Sequence, residues 1–463
     1  MLSAAIAVVT LLGLSTLSQP PADDGVATPG QVEGRPVAAD RSPLQERVDQ
    51  ALPGSVLVVS AGTYRGDLFL DRPITLRAEG HVVLLGSGQG SVVRVRAAEV
   101  TIEGFTIDGQ GGGDLGRDSS GIHVSAADVT IRRCHIRNAL FGIYLRESNR
   151  TLVEDVEIAG IPGREPGEKG SGIHLWNSHG FRLERNVIRE ARDGFYVQSS
   201  TGGIIRGNHV SDIRYGLHYM FSDDNLFEDN VFERGAAGAA LMYSKRIVFR
   251  RNSFLRNRGF ASVGLLLKAC DDVLAEDNLL ADNARGLFLE GSSRNTFRRN
   301  VIAGSDAAVV LYDSVSQNRF ESNSFVSNRT PLLLVGNRTD TIFSANYYTS
   351  NLEPDLDGDG SSDRAFTLSS VFDHFRGNVI AADLLVDTPA AEALGLAERT
   401  FPVLRRIAVA DDRPLAKAPL LPAVPAAGRP QGAASLLGIV VSAGLMLVAL
   451  AGFQLGQRPG GFA

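Results

Sequence analysis

Four of the 463 residues are methionine. Met1 opens the chain and Met446 lies in an apolar run near its end, which leaves Met220 and Met242 for the folded body. These two stand 22 residues apart in matching phrases, Gly216-Leu217-His218-Tyr219-Met220-Phe221-Ser222 and Gly238-Ala239-Ala240-Leu241-Met242-Tyr243-Ser244. Thioethers are soft donors, and with an imidazole they make a set that suits Cu(I), whereas carboxylates and carbonyls suit Mg2+ or Ca2+. His218 stands two residues before Met220, so on an extended strand the imidazole and the thioether share a face. His218, Met220 and Met242 are therefore the candidate copper ligands. The plainer alternative is that both methionines pack under a loop or against a partner.

Whether these side chains meet depends on the element that carries them. The phrase Gly-apolar-x-apolar-x-x-Ser begins at Gly121, Gly142, Gly172, Gly194, Gly216, Gly238, Gly264, Gly286 and Ala308. Its step is 22 residues, apart from one of 21 and two longer ones that hold inserts at 161–170 and near 258–262. A second column keeps step: Asn186, Asn208, Asn230, Asn252, Asn278, Asn300 and Asn323. Fixed-period self-similarity with strand alternation and no helical period predicts an all-β fold, a right-handed parallel β-helix. Asn tolerates left-handed geometry in turns, and stacked Asn side chains can hydrogen-bond along a ladder.

In each phrase the second and fourth positions are apolar and point inward, so the third and fifth point outward. Position three reads His123, Tyr144, His174, Tyr196, His218, Ala240 and Leu266; position five reads Ser125, Arg146, Trp176, Gln198, Met220, Met242 and Lys268. Consecutive coils lie ~4.8 Å apart, which places Met220 beside Met242. His174, Trp176, Tyr196 and Lys268 share that face and are candidates for meeting a partner. The same register separates Cys134, in the Asn column, from Cys270, in the Ser column six coils on, by about 29 Å. Two buried free thiols are expected.

Gly358 and Gly360 interrupt an acidic run, Asp355-Leu356-Asp357-Gly358-Asp359-Gly360-Ser361-Ser362-Asp363. Asp355, Asp357, Asp359 and Asp363 match positions 1, 3, 5 and 9 of a calcium loop, but Phe366 stands where position 12 carries Glu. A structural Ca2+ site and a metal-free acidic turn are both compatible with this pattern.

The formal charge of -6 gives no field that would draw nucleic acid. Residues 1–18 read as a signal peptide and 19–42 as a leader. A β-helix is expected over 43–350, beginning with a helix at 43–52, strands at 56–59, 68–70 and 74–76, and a turn at Gly62-Thr63-Tyr64. A C-terminal cap follows at 351–417, with a helix at 389–399, then a Pro/Ala linker at 418–432. The apolar run at 433–455 is long enough for a single transmembrane helix, so the chain reads as an exported, periplasmic or otherwise extracytoplasmic body anchored to the membrane at its C-terminus.

An enzyme would need paired acids or a nucleophile. Asp223-Asp224 and Asp271-Asp272 lie two coils apart with Lys245-Arg246 between them, and read as turn residues with solvated or ion-paired charge. Nucleophile elbows, phosphate loops and zinc spacings are absent from the sequence. A carbohydrate-active β-helix, a uronate-polymer lyase, epimerase or binding module using Trp176 and the Tyr column, is the alternative, as is a docking scaffold without metal.

Arg214 to Asn225, then Ala240-Leu241-Met242-Tyr243-Ser244 and Gly264-Leu265-Leu266-Leu267-Lys268, resemble the NosD family of periplasmic maturation proteins of nitrous oxide reductase. Pro53-Gly54 through Tyr64, Asn346-Tyr347-Tyr348 with Asp357 to Gly360, and the closing Phe401-Pro402-Val403 and Pro414-Leu415 resemble it too. The resemblance implies a non-catalytic protein that binds and relays Cu(I). Its implied partners are an ABC transporter ATPase/permease pair, a membrane-anchored copper chaperone and apo nitrous oxide reductase. The residues it carries over are His218, Met220 and Met242, with Lys268 beside them.

Overall fold

A computed structural model describes residues 42–259, 261–401 and 409–419. The expected signal peptide and the expected transmembrane helix lie outside the described residues, within which no helix is long and apolar enough to cross a membrane.

Short apolar runs punctuated by turn residues become coils of a parallel β-helix. Among the described residues, twelve strands, from Leu68–Leu70 to Thr330–Val335, form one sheet, and the other two arms of each coil join a second sheet of 26 strands. Pairing is in register: Ile173, Phe195, Leu217, Ala239, Leu265, Leu287, Val309 and Leu332 stack one above another, all inside the core. Phe227 and Phe249 stack at 4.7 Å between ring centroids, and Phe297, Phe320 and Phe343 continue the pattern at 4.6 and 4.7 Å. Both cysteines are buried and free.

The asparagine column forms a ladder. Asn186 donates through its backbone N and its Nδ2 to Asn208 Oδ1 at 2.8 and 3.0 Å, and its Nδ2 also reaches Val153 O at 3.0 Å. The same pattern climbs through Asn230, Asn252, Asn278, Asn300 and Asn323 to Asn346. The left-handed residue is not the asparagine, as the turn reading expected, but its predecessor: Arg185, Gly207, Asp229, Arg251, Asp277, Arg299, Ser322 and Ala345 all have positive φ. That frees the asparagine to fold its amide into the buried turn, where an unpaired amide would be costly.

The ends of the solenoid are closed by side chains that imitate the next coil. At the N-terminal end, helix α1 (Pro43–Gln50), capped by Ser42, lays Leu44 and Val48 on the first coil. Gln45 replaces a missing strand: its Oε1 accepts from Phe69 N at 2.8 Å and its Nε2 donates to Phe69 O at 3.1 Å. At the other end Asp411 stands in for the next asparagine, accepting from Asn346 N and Nδ2 at 2.9 Å each. Open strand edges invite pairing with other chains, and both devices remove that opening.

Two expectations change. Gly62-Thr63-Tyr64 is no turn: the strand Val56–Arg65 runs through it, with a register break between Ser60 and Gly62. The expected helices are Pro43–Gln50 and Pro389–Thr400 (α3), and a further one, α2 (Val371–Asn378), packs along the free edge of Thr330–Val335, the last strand of its sheet, where Asn378 Nδ2 donates to Leu334 O at 3.2 Å. A Cβ on Gly377 would lie 2.4 Å from Leu334 O, so only glycine permits this approach.

Because Asn252 accepts from Asn230 N and Nδ2 and donates to Phe227 O, Asn252→Ala is expected to lower the unfolding free energy by about 2–3 kcal/mol. The exposed Lys245→Ala should stay within about 0.5 kcal/mol. Urea midpoints measure both.

Candidate functional site

Glycine opens eight of the nine phrases because the coils approach closely there; a Cβ at Gly216 would lie 2.4 Å from Gly238 O. Beyond it the alternation expected from the sequence holds. Leu217 and Tyr219 are buried in the core, while His218 and Met220 lie on the outer face.

Met220 pairs directly with Met242, Gln198 precedes them and Lys268 follows in the same column. Met220 and Met242 are both half-buried residues on that face. Lys268 is paired with Glu290 of the next coil at 3.2 Å. Past Met242 the outer face is more covered than the outward-pointing reading expected: Ala240, Val263, Phe288, Ala307 and Val310 form a second apolar cluster.

His218 sits on the rim of the core side of this face, with its side chain 11% exposed. Its Nδ1 lies 3.2 Å from Asp193 Oδ2. Arg214 grips the same carboxylate, Nε to Oδ1 at 2.9 Å and Nη2 to Oδ2 at 2.6 Å, and its guanidinium lies 4.4 Å from the centre of the Tyr215 ring. Burial alone would raise the Asp193 pKa, yet hydrogen bonds from His218 and Arg214 outweigh it and hold the carboxyl down to about 2. An ionised carboxylate can only accept, so in the contact with Asp193 the donor is Nδ1, and Nε2 is the ring nitrogen that Asp193 does not engage. Tyr196 and Tyr215 meet the His218 ring edge-on at 4.8 and 5.3 Å, which restrains the imidazole from two sides.

The other face residues form a stack. His123, Tyr144, His174 and Tyr196 lie ring on ring, at 5.3, 4.4 and 4.3 Å. Burial drives the His174 pKa down to about 3 and the His123 pKa to about 4, the latter helped by Arg94, Arg146 and Arg96. Both rings are neutral near pH 7. Trp176 carries the Arg146 guanidinium over its ring at 5.3 Å, and Tyr196 donates to Gln198 Oε1 at 3.1 Å.

Four features escaped sequence reading. Asp193 had a signal, as the one acid directly before a phrase; Arg214, two residues before Gly216, had none, since Arg192 holds the same place one coil earlier. Phe221 and Tyr243, 54% and 50% exposed, stack at 5.2 Å beside the methionine pair, with φ of 50° and 53°. Left-handed backbone is unfavourable for bulky side chains, and nothing in the spacing announced it.

In the acidic run, Asp355, Asp357 and Asp359 bring carboxylate oxygens within 4.8 Å of one another. Asp363 stands apart from that trio and accepts from Leu356 N at 2.8 Å. Arg413 pairs with Asp359 at 3.2 Å. The turn acids are ion-paired, Asp223 and Asp224 with Arg246, Asp271 and Asp272 with Arg294.

Residues 159–353 match a family described as periplasmic copper-binding protein (NosD), and 81–232 match the right-handed β-helix region. A relative named probable ABC transporter binding protein NosD, from Stutzerimonas stutzeri, is 33% identical over 135 residues, 29% of this chain and 31% of that protein. The chain thus spans about a third of that relative's length. A shorter Pseudomonas aeruginosa sequence of the same name is 31% identical over 90 residues, 19% of this chain and 82% of its own length. Among solved structures, the A-module of the mannuronan C-5 epimerase AlgE6 from Azotobacter vinelandii shares the fold, with a TM-score of 0.56 at 17% identity over 64% of this chain and 91% of its own. A family 28 exopolygalacturonase from Yersinia enterocolitica does so at 0.50 and 13%, over 67% and 75%. At these identities the likeness is one of fold alone.

The buried His174 imidazole gives a pH signature. The unfolded chain takes its proton near pH 6.5 and the folded one only near 3, so stability is full above about 6.5 and falls as pH drops towards 3. His174→Phe keeps a ring in the stack and should flatten the decline between pH 6.5 and 4, read as the urea midpoint against pH.

Proposed function

This chain belongs to the NosD family, and from that premise we propose that it is a periplasmic, non-catalytic protein that binds Cu(I) and relays it during maturation of nitrous oxide reductase. The observation that carries the reading is the register pair Met220–Met242 beside His218, whose Nδ1 is engaged by Asp193 and whose Nε2 is left to coordinate. Two soft thioethers and one imidazole form a donor set for Cu(I). The set is graded in stiffness. His218 is clamped and ring-flanked, whereas methionine has three rotatable bonds and swings easily. A cation held by one fixed and two mobile donors can pass to a partner's ligands one bond at a time, which suits relay over storage.

The partners in this reading are a copper chaperone that supplies the ion, apo nitrous oxide reductase that receives it, and an ABC transporter ATPase and permease; relatives carry the name ABC transporter binding protein. Phe221 and Tyr243 border the methionines and offer an apolar rim to whichever protein exchanges the ion. The run at 433–455 would tether the body to the membrane. The uronate-polymer alternative has less support, because Asp223 and Asp271 are held by Arg246 and Arg294 and Arg146 covers one face of Trp176.

Titration of the purified protein with Cu(I) against a competing chelator tests the site. Met220→Ala with Met242→Ala should weaken binding by more than the ~10–100-fold typical of losing an outer hydrogen-bond partner. Equal affinity in wild type and variant would remove the site.

A structural Ca2+ in the acidic loop is a second, separate proposal, supported by the three converging carboxylates. Calcium should then raise the thermal midpoint by mass action, and Asp357→Asn should abolish that rise.

A further inference from the structure

The proposed ligand His218 lies against a carboxylate that would itself be a good metal ligand. Asp193 is 2% exposed and is held in a fork: Arg214 Nε takes Oδ1, while Arg214 Nη2 and His218 Nδ1 share Oδ2. Such a two-bond fork is a property of guanidinium, which is planar and cannot deprotonate; an ammonium is a point charge that cannot span both oxygens. Arg214 is itself anchored, by its ring contact with Tyr215 and by its backbone N donating to Arg192 O at 2.8 Å.

The carboxylate matters because of what it would add. Imidazole with carboxylate oxygen is a donor set for Zn2+ and Cu2+, while imidazole with two thioethers selects Cu(I). Asp193 touches the imidazole that both sets would use, so the preference of the site turns on whether its oxygens are free to swing towards an incoming cation.

We propose that Arg214 is the specificity-determining residue of the His218–Met220–Met242 site: by occupying both oxygens of Asp193 it withholds the carboxylate from the metal and keeps the site selective for Cu(I) over Zn2+ and Cu2+. This rests on the copper reading above. Asp193 remains a positioning residue, fixing the His218 tautomer through Nδ1 while contributing no metal bond.

The test compares wild type, Arg214→Lys, Arg214→Leu and the pair Arg214→Leu with Asp193→Asn. Each is titrated with Zn2+ and, under reduction, with Cu(I) against chelators, and loaded with Cu2+ for electron paramagnetic resonance. Arg214→Lys keeps the positive charge beside the buried acid, so it stays folded even if Arg214→Leu does not; circular dichroism checks this. The expected result is at least a tenfold gain in Zn2+ affinity in Arg214→Lys, a Cu2+ spectrum with nitrogen and oxygen ligation absent from wild type, and loss of both gains in the paired variant. A purely structural role would shift all three metals together. Unchanged Zn2+ affinity and Cu2+ spectrum in folded Arg214→Lys, with Cu(I) binding still dependent on Met220 and Met242, would overturn the clamp and leave the copper reading standing. A gain that persists in the paired variant would also overturn it. Wild type without methionine-dependent Cu(I) binding would overturn both.

Discussion

In-register stacking of coils is the constraint on which the rest of this molecule depends. Side chains alternate inward and outward with a period of two, so a slip of one residue would turn every core residue to solvent and every outer residue inward. The asparagine ladder makes such a slip expensive. Each buried amide satisfies the coil below and is satisfied by the coil above, and an interrupted ladder would strand several polar groups at once. The phenylalanine stacks beside it add a second, apolar reason for the same register. Gln45 at one end and Asp411 at the other continue this hydrogen-bonding where the chain has no further coil to offer.

Register on the inside becomes spacing on the outside. Met220 and Met242 need no loop to become neighbours, since the ladder that aligns Asn230 with Asn252 also puts the two methionines in register. The backbone beneath these side chains is therefore held by register on both neighbouring coils. The ring stack running from His123 to Tyr196 ends against His218. It supplies a stiff support on the imidazole's flank.

The solenoid uses one electrostatic device repeatedly. At its turns, arginines reach one coil down to grip carboxylates with two hydrogen bonds, as Arg234 does with Asp212 and Arg299 with Asp277. Most of these pairs stand in water, where they contribute little. The Arg214–Asp193 pair has the same chemistry moved to a buried position beside the His218 imidazole, where geometry counts for more than in solvent.

How much of this could be read beforehand differs from element to element. The 22-residue period, the inward and outward columns and the isolation of Cys134 from Cys270 all follow from residue types at fixed spacing, because each coil repeats the same local rules. Met220 and Met242 share a column for the same reason. The clamp on His218 does not follow, since it joins Asp193 to residues on the next coil through rotamers that no spacing specifies. The left-handed turn residue was displaced by one because buried amide bonding, a contact between coils, overrides the local preference of asparagine. Asp411 closing the ladder, α2 lying along Thr330–Val335 and the neutral burial of His174 are likewise matters of what ends up adjacent in space. The sequence alone determined the repeat and the order of side chains along each strand; only the tertiary structure decided which are anchored, which are covered and which stay half-exposed, because those properties belong to packing between coils.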